Sequence, residues 1–372
     1  MKKVVVTGAN GFVGKNLLAH LNRIENLELQ SITRETKAEE FSEILKDAEL
    51  IYHLAGVNRP KNEEEFSIGN SGLTAQLLKT IEDLQPEKKP VFVITSSTQA
   101  EMDNPYGKSK LEAEELLSKS SDNGIVNAVI YRLPGVFGKW SKPNYNSVIS
   151  TFCYNVANGK ELEIRDPNFS FPVVYIDDVI AELLTWMSAK DIEKLTRAKV
   201  RTEFEVSLGF LAETISSFPK NRENLRAPKV GDTLTKYLYS TYLSYLPKDK
   251  FSYPMKLNVD NRGDLFEWIK SEDFGQIFVS TTKPGITRGN HFHHTKTEKF
   301  LVIRGEAIIR FRKIDGTEII EYPVNGKVPT VVDIPTGYTH NITNVGEEEL
   351  ITLFWANEIF DHDRPDTYFL TV

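Results

Sequence analysis

Cysteine and long apolar runs are what this sequence has least of. Cys153 is the one cysteine among 372 residues, so an intrachain disulfide is excluded and a reducing compartment is favoured. Only three apolar residues, Val4–Val6, precede Gly8, which is too short a run for the core of a signal peptide. No later stretch reaches the apolar length of a membrane-spanning helix. We therefore expect a cytoplasmic protein without a membrane partner.

Positive charge is also in short supply. The formal net charge is −7, and no run of basic residues occurs, so nucleic acid is not expected as a partner. The hydrophobic content of 40% over 372 residues is enough for two domains of roughly 100–200 residues each. A phosphorylated small molecule would need only a local basic pocket.

The texture of the sequence changes along the chain. In the first half, short β-branched runs such as Val4–Val6 alternate with helix-length segments such as Gly14–Asn22, which predicts βαβ units and a parallel sheet. From about Leu257, short strands separated by turn signals such as Asn325-Gly326 predict an antiparallel barrel or sandwich. The sequence therefore predicts an α/β domain over 1–243, a linker over 244–256 and an all-β domain over 257–372.

A glycine-rich turn directly follows the first predicted strand and opens a helix. Glycine lets the backbone approach a pyrophosphate, and the helix N-terminus supplies amide donors, although such a turn can also be purely structural. The spacing of Gly8, Gly11 and Gly14 resembles that of the short-chain dehydrogenase/reductase family, which implies a Rossmann fold. The predicted cofactor contacts in this turn are Gly8, Asn10, Gly11, Phe12, Val13 and Gly14.

Tyr106 and Lys110 lie one helical turn apart. A tyrosine that protonates a carbonyl oxygen during reduction has an ordinary pKa of about 10. The ammonium group of a nearby lysine favours the phenolate and so brings that pKa toward neutrality. The same spacing also occurs by chance on solvated helix faces. Ser97 ends the preceding strand and matches the family's catalytic serine by position, with Ser96 as the alternative. We predict Ser97, Tyr106 and Lys110 as the catalytic residues.

Two further segments resemble cofactor loops of the same family. His53–Gly56 resembles the loop beside the adenine and ribose, and Tyr131–Gly138 resembles the segment that contacts the nicotinamide. Arg34, after the second strand, favours NADPH through its charge, whereas Glu35 keeps NADH open. The cofactor contacts that the resemblance adds are Leu54, Ala55, Gly56, Leu133 and Pro134, together with Tyr106 and Lys110.

The nearest relatives within that family are the extended nucleotide-sugar epimerases and reductases. The segments Pro105–Lys110 and Val173–Asp178 carry this resemblance, and in the family they border a sugar-nucleotide pocket. Polar residues between them are candidate contacts for sugar hydroxyls or a diphosphate, although isolated polar residues are more often loop surface. The candidates are Asn144, Tyr145, Asn146 and Arg165.

Five of the seven histidines lie at or beyond position 291. The pattern Gly285-x5-His291-x-His293-x4-Glu298-x6-Gly305 resembles the first motif of the cupin family, and Pro335–Asn344 resembles the second, with Pro329 in place of its leading glycine. On a strand, His291 and His293 point to one face. We predict a jelly-roll cupin whose metal ligands are His291, His293, Glu298 and His340. Zinc is the first choice, iron, manganese and nickel stay open, and a purely structural use of the histidines is the alternative.

The two predicted sites have one substrate type in common, a carbonyl compound. A divalent ion that polarises a ketone acidifies the adjacent carbon and permits epimerisation, and reduction of that ketone then fixes the new configuration. The chain as a whole resembles bifunctional capsular-polysaccharide enzymes in which a reductase domain precedes a zinc cupin. That resemblance implies a homodimer that epimerises C3 and reduces C4 of a UDP-linked 4-keto-6-deoxy-N-acetylhexosamine with NADPH, on the route to UDP-N-acetyl-L-fucosamine.

Two other interpretations stay open at this point. In one, the reductase does all the chemistry and the cupin only binds a sugar or stabilises a dimer. In the other, the chain is a redox-sensing regulator that keeps the cofactor fold and has lost catalysis.

Overall fold

The chain divides into two units according to its internal contacts. A computed structural model describes residues 1–372. One unit comprises Met1–Ser216 and Gly231–Pro247, and the other comprises Ser217–Val230 and Lys248–Val372. None of the helices combines the length and apolar character that a membrane crossing requires.

The first unit is built on a parallel sheet of six strands in the order β2-β1-β3-β4-β5-β8. Strand β1 has β2 on one side and β3 on the other, so the strand order reverses there, and ligands bind at such a switch point in open α/β sheets. A smaller sheet has the order β6-β7-β9. The strands are β1 (Lys2–Thr7), β2 (Leu27–Ile32), β3 (Leu50–His53), β4 (Val91–Ser97), β5 (Asn127–Leu133), β6 (Gly135–Phe137), β7 (Ser170–Tyr175), β8 (Leu195–Ala198) and β9 (Phe204–Ser207).

Helices cover the apolar side chains of this sheet. Val5, Ile51 and Phe92 of the central strands form a buried cluster with Leu77 and Leu117 of two helices. The helices of this unit are α1 (Phe12–Leu21), α2 (Phe41–Leu45), α3 (Glu64–Ser67), α4 (Leu73–Leu84), α5 (Pro105–Asp122), α6 (Val148–Ala157), α7 (Ile176–Leu184), α8 (Leu208–Ser217) and α10 (Thr233–Leu243), whereas α9 (Asn221–Asn224) belongs to the second unit. A π-helical turn, Ile68–Gly72, joins α3 to α4. The predicted Rossmann-type α/β fold is thus confirmed.

The second unit contains two antiparallel sheets, as the turn signals predict. Their orders are β10-β11-β12-β19-β14-β17 and β16-β15-β18-β13-β20. Phe300, Phe311 and Phe354 lie in the buried core of this unit, which has the all-β, cupin-like architecture expected. The strands are β10 (Asn258–Asp260), β11 (Gly263–Ser271), β12 (Gly275–Thr282), β13 (Thr287–Phe292), β14 (Glu298–Arg304), β15 (Glu306–Lys313), β16 (Ile319–Asn325), β17 (Val331–Ile334), β18 (Tyr338–Asn344), β19 (Leu350–Ala356) and β20 (Tyr368–Phe369).

The segment Ser217–Val230 precedes the predicted linker in the sequence but packs in the second unit. The Lys270 amide on β11 donates to the Leu225 carbonyl at 2.8 Å, and the Ala227 amide donates to the Lys270 carbonyl, also at 2.8 Å. These backbone hydrogen bonds join residues that are far apart in the sequence, so no local pattern predicts them. The boundaries 1–243 and 257–372 themselves stay a prediction.

One buried carboxylate ties α5 to the parallel sheet. The Glu114 side chain on α5 is 1% exposed, and its Oε2 lies 2.7 Å from Nη2 of Arg132 on β5. Nε of the same guanidinium donates to Oε1 of Glu114 at 2.9 Å. Because a buried charge without its partner is costly, this pair holds the helix that carries Tyr106 in place.

We expect Glu114→Gln to lower the free energy of unfolding of the first unit by about 3 kcal/mol, the scale for breaking a buried pair. Glu101→Gln is the matched control, since Glu101 bonds the same Arg132 but is 75% exposed and should cost less than about 1 kcal/mol. Urea unfolding followed by circular dichroism measures both values. Equal losses in the two variants would show that the burial of Glu114 is not what matters.

Candidate functional site

The glycine-rich turn brings the ends of β1 and β3 into backbone contact. Gly8 has a φ of +69°, and a Cβ on it would lie 2.6 Å from the Ala55 nitrogen. A Cβ on Gly14 would lie 2.3 Å from the Gly8 oxygen. Gly11 is the N-cap of α1 and offers no side chain to its first amides, which are therefore available to an anion. The turn can thus accept a phosphate-bearing ligand at the switch point.

Ser97, Tyr106 and Lys110 meet at the carboxyl end of β4. Ser97 is its last residue, and its hydroxyl accepts the Gln99 amide at 3.2 Å and lies near enough to Tyr106 to lower the pKa of that tyrosine. Tyr106 lies in the first turn of α5, next to Pro105 at the helix start. Lys110 Nζ donates to the Thr95 carbonyl at 2.9 Å. The structure therefore brings together the three residues predicted as catalytic.

Burial sets the protonation of this cluster. It raises the pKa of Tyr106, and the nearby Ser97 hydroxyl only partly opposes that effect. Burial also lowers the pKa of Lys110 to about 8, against the opposing charge of Glu114. Tyr106 is therefore protonated at neutral pH, the form in which a tyrosine can donate a proton.

Asn70 is a residue of this region that the sequence reasoning missed. It lies in the π-helical turn, and its side-chain oxygen accepts the Val57 amide at 2.9 Å while its nitrogen donates to the Ser109 hydroxyl at 2.9 Å. Asn70 thereby joins the loop after β3 to α5. The same loop lies close to Lys110, because a Cβ on Gly56 would be 3.4 Å from Lys110 Nζ. The run Gly69-Asn70-Ser71-Gly72 inside a helical stretch was the available signal, since π turns are frequent at functional sites.

The predicted substrate residues differ in their surroundings. Tyr145 lies near enough to Tyr106 to contribute, after burial, to the raised pKa of that tyrosine. Arg59 and Lys142 approach the Tyr145 ring, at 5.8 and 5.4 Å from its centroid. The other three candidates are exposed loop residues whose role stays a prediction: Asn144, Asn146 and Arg165.

The remaining predicted cofactor contacts lie at strand ends. Arg34 is exposed just after β2, and the adjacent Glu35 accepts the Thr33 hydroxyl at 2.6 Å. Leu133 ends β5 and Pro134 follows it. His53, which precedes the Leu54–Gly56 loop, is a structural residue, because its two ring nitrogens bond the hydroxyls of two buried threonines, Thr7 and Thr74, at 2.7 and 2.9 Å.

The four predicted metal ligands converge inside the second unit. His291 on β13 lies opposite His340 on β18 in the strand register. Glu298 is the first residue of β14, and His293 directly follows β13. One ligand atom from each residue lies within 4.8 Å of the other three, which fits the first coordination sphere of a divalent metal ion.

The hydrogen bonding of this quartet is suited to a cation. The Asp366 carbonyl lies 2.6 Å from Nδ1 of His293, and because a carbonyl only accepts, Nδ1 carries the proton. Nε2 then presents a lone pair 3.4 Å from the Glu298 carboxylate, and it has no hydrogen-bond partner. Both ring nitrogens of His340 are likewise buried without a partner. Buried lone pairs that face one another are stabilised by a positive charge between them.

Electrostatics favour the ligating form of these groups. Burial lowers the pKa of His291 to about 3, and His340 adds to that effect, so the imidazole is neutral at neutral pH. A neutral imidazole and an ionised carboxylate are the forms that bind metals.

His294 and Lys296 lie close to the quartet in the sequence but outside it in space. The His294 ring contacts Phe292 and Tyr368, with centroids 5.4 and 4.8 Å away. Lys296 Nζ donates to the Pro365 carbonyl and the Thr367 hydroxyl, each at 2.8 Å.

Both units match described protein families. Residues 4–195 match the NAD dependent epimerase/dehydratase family. Residues 258–368 match the polysaccharide biosynthesis C-terminal domain.

Full-length relatives are also found. A UDP-2-acetamido-2,6-beta-L-arabino-hexul-4-ose reductase of Pseudomonas aeruginosa is 44% identical over 370 residues, covering 100% of this chain and 99% of that protein. The crystal structure of the capsular polysaccharide assembling protein CapF from Staphylococcus aureus superposes with a TM-score of 0.92 at 47% identity, covering 99% of this chain and 100% of that one. A crystal structure of CapF with the inhibitor 3-isopropenyl-tropolone gives a TM-score of 0.87 at 42% identity, over 100% of both chains.

We expect the purified protein to bind about one Zn²⁺ per chain, and His340→Ala to weaken that binding by more than about 100-fold, because the ligand itself is lost. His294→Ala is the control, since this ring lies outside the quartet and the variant should bind zinc as the wild type does. Competition with a chromogenic chelator measures both affinities. Equal weakening in the two variants would count against the quartet.

Proposed function

Because this chain belongs to the NAD dependent epimerase/dehydratase family, we propose that it is an NADPH-dependent reductase of a UDP-linked 4-keto sugar that also epimerises C3 of its substrate. The substrate is a UDP-4-keto-6-deoxy-N-acetylhexosamine, whose acetamido-dideoxy type agrees with the name of the relative from Pseudomonas aeruginosa. Epimerisation belongs to the cupin unit and reduction to the Rossmann unit. The route to UDP-N-acetyl-L-fucosamine in capsule synthesis and a homodimeric state stay predictions.

The observation that carries the proposal is that Ser97, Tyr106 and Lys110 come together at the carboxyl end of β4, with Tyr106 and Lys110 one helical turn apart on α5. Two neighbouring hydroxyls can both approach a single carbonyl oxygen. Such an arrangement suits proton donation to that oxygen at the end of β4. It is the chemistry that a ketone reductase needs.

In reduction, a nicotinamide cofactor held at the glycine-rich turn would supply the hydride for C4 of the ketone. Ser97 holds the carbonyl oxygen, and Tyr106 gives that oxygen the proton of its hydroxyl, so an alcohol forms. Lys110, whose pKa of about 8 allows it to gain or lose a proton near neutrality, then assists the return of a proton to Tyr106. The arrangement of Gly8, Gly11 and Gly14 supports binding of the cofactor pyrophosphate at the switch point.

In epimerisation, a divalent cation would supply the Lewis acidity that acidifies the C–H bond next to the ketone. The residues that would hold it are buried or half-buried: His291, His293, Glu298 and His340. Reduction must follow epimerisation, because the alcohol has no carbonyl to acidify C3.

The test measures the two reactions separately on one keto sugar. We expect Tyr106→Phe to slow NADPH oxidation by about 100-fold or more, the usual contribution of a general acid, while deuterium from heavy water still enters C3. We expect His291→Ala to abolish that exchange. Absorbance at 340 nm and mass spectrometry of the recovered sugar give the two rates.

Tyr52→Phe controls for the loss of a buried hydroxyl, because the Tyr52 hydroxyl donates to the Leu183 carbonyl at 2.8 Å; its reduction rate should stay near the wild-type value. If deuterium exchange at C3 continued after the metal was removed, the epimerase assignment would be wrong. The remaining interpretation would be a reductase with a non-catalytic cupin. Undiminished NADPH turnover by Tyr106→Phe would refute the assigned proton donor.

Cofactor choice is proposed to depend on Arg34, whose cation can pair with a 2′-phosphate. Arg34→Ala should raise the KM for NADPH by about tenfold or more, the value of a hydrogen bond to a charged group, and leave the KM for NADH unchanged. Lys37→Ala removes another exposed cation three residues on and should alter neither constant. A parallel rise for both cofactors would argue against recognition of the 2′-phosphate.

A further inference from the structure

The segment Pro365–Thr367 contacts the loop between the metal-ligand strands through an unusually dense set of hydrogen bonds. We call it the strap. It directly precedes β20, which pairs with β13 so that Phe369 lies opposite His291. The strap is about 70 residues away in sequence from the loop it contacts, as the bond from Lys296 to Pro365 spans 69 residues. The contact is therefore tertiary.

Asp366 binds this loop with both its main chain and its side chain. Its carbonyl accepts Nδ1 of His293 at 2.6 Å. Its carboxylate accepts the amide of His294 at 3.0 Å and those of Thr295 and Lys296 at 2.8 Å each. The Thr295 hydroxyl is a fourth donor, at 3.0 Å. Four donors of one short loop therefore converge on this carboxylate, three of them on Oδ2.

The backbone of Asp366 is adapted to this double contact. Its φ is +41°, a conformation that most residues avoid and that asparagine and aspartate tolerate best. That conformation turns the carbonyl and the carboxylate of one residue toward the same loop. Lys296 reinforces the arrangement, because its buried ammonium donates to the Pro365 carbonyl and the Thr367 hydroxyl at 2.8 Å each.

We propose that Asp366 is a positioning residue for the metal centre, which fixes His293 as the tautomer that presents Nε2 to the ion and sets the direction of its ring. The inference rests on the metal site of the proposed function. Asp366 itself is not one of the four residues whose ligand atoms lie together. Hydrogen bonds to the second nitrogen of a ligand histidine control ring orientation and typically change metal affinity by about 10–100-fold.

The test compares Asp366→Asn with Asp361→Asn in the full-length protein. Asparagine tolerates the positive φ but replaces one acceptor oxygen with an NH₂ donor, which would face an amide donor of the loop. Asp361 undergoes the same chemical change five residues earlier, where its carboxylate accepts only the nearby Asp363 amide and lies 3.6 Å from Arg364. Zinc and cobalt affinities, the visible spectrum of the Co²⁺ form, and unfolding of the metal-free proteins are measured.

We expect Asp366→Asn to bind zinc about 10–100-fold more weakly and to shift the Co²⁺ ligand-field bands, because the His293 ring changes direction. Asp361→Asn should match the wild type in both respects. Wild-type affinity and spectrum in Asp366→Asn would overturn the inference. Weaker binding with an unchanged spectrum would also overturn it, since the acid would then act through stability alone.

If metal-free Asp366→Asn is unfolded at the assay temperature, a milder pair decides. Thr295→Val deletes the hydroxyl donor of an exposed residue, and Thr295→Ser restores it. We expect about threefold weaker metal binding for Thr295→Val, the scale of one hydrogen bond, and wild-type affinity for Thr295→Ser. Equal affinities would overturn the inference.

The outcome for the proposed function is separate. Wild-type protein that binds metal yet exchanges no deuterium into C3 overturns the epimerase assignment and leaves the result for Asp366 in force. Wild-type protein that binds neither zinc nor cobalt overturns both.

Discussion

Acceptor groups that face one another in a protein interior repel unless a positive charge lies among them. The second unit of this chain is arranged around such a set. His291 and His340 are opposite each other in the strand register, and Glu298 enters from the adjoining sheet. The strap and the 294–296 loop contain no predicted ligand. The hydrogen bond from Nδ1 of His293 to the Asp366 carbonyl in the strap determines that Nε2 faces the other ligands. The quartet is thus arranged so that it could hold a cation.

In the first unit, several polar side chains near the carboxyl end of the sheet have partners within the fold. His53 uses both ring nitrogens, Asn70 uses both ends of its amide, and Lys110 donates to a strand carbonyl. These bonds hold the end of the sheet in a fixed arrangement. The two clusters therefore differ, because these polar groups are satisfied inside the protein, whereas the quartet of the second unit leaves ring nitrogens without a partner.

Local periodicity explains what the sequence could predict. Alternation with period two placed His291 and His293 on one face, one helical turn placed Tyr106 beside Lys110, and the glycine spacing marked the turn after β1. The contacts that join distant parts of the chain around these residues were not predictable. Asn70 contacts Ser109 across 39 residues, and Asp366 contacts His293 across 73. Such contacts leave no periodic trace in a single sequence.

The π-helical turn Ile68–Gly72 has a consequence for chain length. A π turn contains about one residue more per turn than an α-helix, so the chain carries one surplus residue there without rotating α4. Leu77 and Ile81 of α4 remain directed into the core. A homologue that lacked this residue would keep the same packing register of α4, while the amide of Asn70 would no longer reach both the Val57 loop and Ser109. A one-residue deletion in this turn would therefore leave the packing of the core unchanged but would disrupt the loop beside Lys110.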